Sequence, residues 1–92
     1  EAGTEVFDRA QISPPLYVRC KRPGDFIETK TGKKKMKKYY SEYRIPTAER
    51  SRLLVLGDRK GILWLLGYAR AHRARVGRRT KKFLVVKLEK TA

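Results

Sequence analysis

Met36, Tyr39, Tyr40 and Tyr43 stand at i, i+3, i+4 and i+7 inside a run of lysines, and this spacing constrains the fold more than any other feature of the sequence. At roughly 100° per residue the four side chains form one stripe. Lys33 to Tyr43 is therefore predicted to be a helix that plants its aromatic side on a core. Lys34 and Lys38 would project from the opposite face, with Lys35 and Lys37 flanking the stripe. Pro46 sets the stop, because proline disfavours helical geometry at the preceding Ile45. Core packing is expected for Met36, Tyr40 and at least one other tyrosine. A tyrosine left outside would be free to stack on a base, and helical spacing alone does not decide this.

Short strands are predicted around that helix. Leu16-Tyr17-Val18-Arg19-Cys20 alternates at period two, with Leu16, Val18 and Cys20 expected on the buried face. Lys21-Arg22-Pro23-Gly24-Asp25 reads as a turn, and Thr29 to Gly32 as a loop. Thr47 to Arg52 reads as a short helical turn with Thr47 as its N-cap. Leu53 to Leu56 and Ile62 to Leu66 are apolar strands around a hairpin loop from Gly57 to Gly61, with Trp64 in the core. Phe83 to Leu88 is the last strand. Gly67 to Thr80 scatters Arg70, Arg73, Arg75, Arg78 and Arg79 among small residues and fits neither period. Residues 1–15 read as an N-terminal connector, in which Val6 and Phe7 suit a strand end and Ser13-Pro14-Pro15 then enforces extended backbone. Residues 16–90 then form the domain. The expected class is α+β, a small mixed sheet of about four strands with one basic amphipathic helix packed on one face.

Charge narrows the partner. The chain carries 24 Lys and Arg against 9 Asp and Glu, a formal +15. Residues 1–29 hold Arg9, Arg19, Lys21 and Arg22 against five acids, so the excess lies in residues 30–92, where only Glu42, Glu49, Asp58 and Glu89 oppose the cations. Such an imbalance repels itself in a compact domain, and a polyanion relieves it. Nucleic acid fits better than a membrane surface, because the cations do not flank an exposed Trp/Phe/Leu face. Ile62 to Leu66, the longest apolar run, is far short of the ~20 residues of a membrane span. With Cys20 and His72 each alone, an intrachain disulfide and a multi-cysteine zinc site are excluded. A reducing intracellular compartment is expected, no metal or cofactor is expected in this chain, and a start at Glu1 suggests a piece of something longer. Neither a nucleophile–base pair nor paired carboxylates emerge, so autonomous catalysis is not expected.

An ordered series of short motifs adds a resemblance. Val18-Arg19, Arg22-Pro23-Gly24-Asp25, Gly32, Lys37-Lys38, Ile45-Pro46, Arg50, Arg52, Trp64, Gly67, Arg73 and Thr80-Lys81 through Leu88 follow one another at near-constant spacing. Over residues 16–88 the chain resembles the C-terminal domain of bacterial tRNA(Ile)-lysidine synthetase. It departs from that pattern at Phe26, where arginine is frequent, at Ala48-Glu49, and at Ala69-Arg70-Ala71-His72.

The resemblance implies a cytoplasmic bacterial enzyme that uses ATP and magnesium to join lysine to the anticodon cytidine of an isoleucine tRNA. That chemistry belongs to a separate catalytic domain with a Ser-Gly-Gly phosphate loop. This domain would hold the tRNA around its acceptor stem, with the tRNA and the parent's catalytic domain as partners. The RNA-binding candidates are Lys34, Lys37, Lys38, Arg50, Arg52, Arg70, Arg73 and Arg75. Against this stand three plainer roles: Arg50 or Arg52 pairing with Glu49 or Asp58, an independent basic nucleic-acid module, and a docking domain that packs its Ile62–Leu66 strand against a neighbour.

Overall fold

The computed structural model describes residues 3–89. Its centre follows from two apolar runs that leave no polar face, the pattern of strands covered on both sides. These become β5 (Leu54–Asp58) and β6 (Gly61–Leu65), joined by a turn at Arg59 and Lys60, with β2 (Tyr17–Cys20) paired antiparallel on the other side of β5. The β5–β6 register steps from Leu56↔Trp64 to Gly57↔Ile62, which leaves Leu63 as a bulge. Successive strand residues point to opposite faces. Val55 and Leu56 accordingly enter different core clusters.

The first cluster joins Val55, Ile62 and Leu65 to the helical stripe. Helix α1 (Met36–Glu42) supplies Met36, Tyr39 and Tyr40, and the hairpin of β3 (Phe26–Thr29) with β4 (Gly32–Lys35) supplies Ile27. The second cluster gathers Leu56, Leu63 and Trp64 with Phe7, Ala74, Leu84 and Val86. Phe7 comes from β1 (Thr4–Asp8), which pairs antiparallel with β7 (Phe83–Lys87). A 3-10 turn at Arg9–Gln11 and a short helix, α2 (Thr47–Arg50), complete the described elements.

The class is α+β, with two differences from the sequence reading. Among the described residues seven strands lie in three separate antiparallel sheets rather than in one mixed sheet of about four. Thr4–Asp8, inside the expected connector, extends the strand end expected at Val6 and Phe7 into a full strand, whose pairing with Phe83–Lys87 is too distant for period-two reading to reach. Residue 90, the expected domain end, lies outside the described residues.

Two local expectations are corrected. Leu16, Val18 and Cys20 are exposed, and Tyr17 and Arg19 turn inward instead. The Tyr17 ring lies where a Cβ on Gly57 would be, and Arg19 grips Asp25 through Nη1–Oδ2 at 2.9 Å and Nη2–Oδ1 at 3.0 Å. Helix α1 begins at Met36, not Lys33, because Lys33 and Lys34 are paired opposite Glu28 and the buried Ile27. Its end is a Schellman motif: the Ile45 N–H donates to the Tyr40 carbonyl (2.9 Å) and the Arg44 N–H to that of Ser41 (3.3 Å). Arg44 holds φ at 50°, the position glycine usually takes. Among the described residues no helix is long and apolar enough to cross a membrane.

Candidate nucleic-acid interface

Tyr40 organises the strongest cation cluster. Its ring edge closes the first core cluster, while its faces hold Lys21 Nζ at 5.5 Å and the Arg50 guanidinium carbon at 5.2 Å from the centroid. Cations seated on an aromatic face keep their charge while their stems cover apolar surface. Arg50 is further fixed by Nε donating to the Ile45 carbonyl at 3.0 Å. Beside Tyr40 opens a cleft of about 450 Å³ lined by Lys21, Arg22, Lys35 and Lys37, with Pro23 and Met36 as its apolar wall.

That cleft is assembled by the Pro-Gly-Asp turn. The Met36 N–H donates to the Asp25 carbonyl (3.1 Å), which docks the turn on the start of α1. The one acid in the lining, Asp25, is already matched by Arg19 and by the Arg22 N–H (2.7 Å). Burial pushes its carboxyl up, but these bonds outweigh burial and hold it below the ordinary range. The cleft is left cationic.

A second cleft, of about 390 Å³, is lined by Thr29, Lys30, Arg70, His72 and Arg75. Arg75 Nε donates to His72 Nδ1 at 3.0 Å. The Arg70 guanidinium, by contrast, faces inward. It donates to the carbonyls of Val6 (2.7 Å), Ala71 (3.1 Å) and Arg73 (3.1 Å), pairs with Glu5, and sits 4.3 Å from the Phe7 ring centroid. Arg73 is equally committed. It grips Asp58 through both terminal nitrogens and donates to the Gly61 carbonyl at 3.0 Å.

Asp58 is 1% exposed and also accepts the N–H groups of Ser13, Lys60 and Gly61. Burial alone would raise its pKa; Arg73 and these amides reverse the sign and lower it to about 2. Asp58 was one of the acids expected to compete for Arg50 or Arg52, and Arg73 takes it instead.

Of the eight sequence candidates, then, Lys37 lines the first cleft and Arg50 backs it through Tyr40. Lys38 and Arg52 are exposed. Lys34 lies on β4 rather than on the helix, pairs with Glu42 and covers the Tyr39 ring at 4.5 Å. Arg75 and Arg70 line the second cleft, and the half-buried guanidinium groups of Arg70 and Arg73 are committed to internal acceptors. Lys21, Arg22 and Lys35 line the first cleft and were not among the sequence candidates. Their signal was a basic dipeptide preceding Pro-Gly-Asp, which reads as a turn alone unless Asp25 is recognised as the clamp. Of the Ile62–Leu66 strand suggested for docking, Ile62 to Leu65 are buried and Leu66 is half-buried.

A sequence model described as the TilS substrate C-terminal domain matches residues 16–86. The chain is 42% identical over 72 residues to a tRNA(Ile)-lysidine synthase of Geobacillus kaustophilus, covering 73% of this chain and 16% of that relative. It is 34% identical over 85 residues to the bifunctional protein TilS/HprT of Listeria monocytogenes, covering 89% of this chain and 13% of the relative. The chain thus spans less than a fifth of the length of these relatives. A crystal structure of a TILS C-terminal domain superposes with a TM-score of 0.76 at 30% identity, over 97% of this chain and 73% of that one.

Proposed function

Because this chain belongs to the TilS substrate C-terminal domain family, we propose that it is the non-catalytic, tRNA-binding part of a cytoplasmic lysidine-forming ligase. It holds isoleucine tRNA at the acceptor-stem region while a separate catalytic domain of the parent chain modifies the anticodon cytidine. The observation that carries this reading is the α1 cleft, where Lys21, Arg22, Lys35 and Lys37 converge around a carboxylate already neutralised by Arg19.

The deep, narrow major groove of an RNA stem hides base edges, so a stem is met through phosphates, 2′-hydroxyls and shape. Lys35 and Lys37 act as point charges toward phosphate, and Arg22 and Arg50 add planar, bidentate donors. Lys38, Arg52 and Arg75 extend the cationic surface, whereas the charge of Lys34 is matched by Glu42. Arg73 supports the fold, and Arg70 contributes chiefly by fixing the wall of the second cleft. Holding a distant part of the tRNA lowers the orientational cost at the reacting base.

ATP and magnesium, in this reading, act in the catalytic domain. The Asp58–Gly61 turn of this chain does not fit a phosphate, because its Lys60 and Gly61 amides are directed at the Asp58 carboxylate. Titrating the chain with isoleucine tRNA, with an acceptor-stem hairpin and with an anticodon-stem hairpin tests the proposal. Salt-sensitive binding is expected for the first two. Equal affinity for tRNA, duplex DNA and heparin would favour an independent basic module instead.

A further inference from the structure

The helical stripe divides unequally: Met36, Tyr39 and Tyr40 are buried, whereas Tyr43 is 45% exposed. Its ring is nevertheless held in place. It lies 20° from parallel to Tyr39 at 6.4 Å, and meets Tyr68 edge-on at 5.3 Å. Next in the chain is Arg44, exposed and at a φ of 50°. Glycine is the default at this position of a Schellman motif, because side-chain-bearing residues are disfavoured in the left-handed region. A strained cation thus follows directly on an exposed, braced ring.

From this pairing we infer that Tyr43 is a stacking platform for one unpaired nucleobase, with Arg44 meeting the phosphate beside it. The inference rests on the RNA-binding reading and deepens it, because stem phosphates and an unpaired base are met by different chemistry. Every base offers a π-face, so the platform is selective for an unstacked nucleotide and tolerant of sequence. Lys34 lies over the neighbouring Tyr39 ring, and its charge is matched by Glu42, so Arg44 is the cation assigned to the phosphate.

The test uses an RNA hairpin that ends flush and the same hairpin with a single-stranded extension, titrated at one salt concentration. The extension is expected to tighten binding at least about fivefold. Tyr43→Leu is expected to abolish that preference and Tyr43→Phe to keep it, with flush-hairpin affinity unchanged in both. Arg44→Gly is expected to raise the unfolding midpoint while reducing the preference, which a purely structural arginine would not do. Equal affinities for the two hairpins, both salt-sensitive, would overturn the platform and leave the stem-binding reading standing. Loss of the flush-hairpin affinity in Tyr43→Leu would mark a packing role and overturn it as well. Failure to bind either hairpin would overturn both readings.

Discussion

Two arginine-bearing regions of this domain look alike in composition and do opposite things. In the 67–80 arm, Arg70 and Arg73 turn inward and spend their donors on carbonyls and on carboxylates of distant segments. Around α1 the cations rest on aromatic faces or stand at a cleft mouth, with the nearest acid already neutralised. The difference lies in what each cation can reach. The arm has no period of its own, and the hydrogen bonds of Arg70 tie it to β1 and so to the second core cluster. Helix α1 already has a hydrophobic face, so its packing makes no demand on its cations.

If that contrast is right, the largest effect comes from the arm. Asp58→Ala strands Arg73 and three backbone amides, and a cost of about 3–5 kcal/mol is expected in urea unfolding. That is a large share of the ~5–15 kcal/mol by which a domain is stable. Next comes Arg70→Lys. An ammonium group cannot span the carbonyls of Val6, Ala71 and Arg73, so a loss of about 1–3 kcal/mol is expected by the same measurement.

Acid should reveal the same arm. Asp58 titrates at about 2 in the fold against 3.8 ordinarily, and a depressed carboxyl stabilises the fold above its unfolded pKa. Thermal unfolding midpoints should therefore fall as pH drops from about 4 toward 2, and the lowered Asp25 adds to the slope. The smallest stability effect belongs to α1: Lys35→Gln with Lys37→Gln should stay within about 0.5 kcal/mol. A double substitution that unfolded the chain would erase the distinction between the two regions.

Much of this was legible beforehand. The stripe from Met36 to Tyr43 and the apolar runs of β5 and β6 announced their elements because each is set by local periodicity. What stayed hidden depends on distant partners. Thr4–Asp8 shows no strong alternation, and only Phe83–Lys87 makes it a strand. Lys33 and Lys34 suit a helix by composition, yet the β3 register claims them. Arg19 reads as the outward residue of a strand until Asp25 is seen six residues on, folded back as its partner. Charge excess alone favoured Arg70 and Arg73 as readily as Lys37, since composition does not distinguish an arginine with an internal acceptor from one without.

The central claim is that the α1 cleft, rather than the 67–80 arm, grips the RNA. Its most direct measure is the salt dependence of affinity for isoleucine tRNA in the parent chain and in a variant with Lys21, Arg22, Lys35 and Lys37 all changed to Gln. Every RNA phosphate deprived of its cation should flatten the slope of log affinity against log salt by roughly 0.7–0.9. A variant that stays folded and whose slope is shallower by about 3 is the expected result; a folded variant with its slope and affinity intact would contradict it.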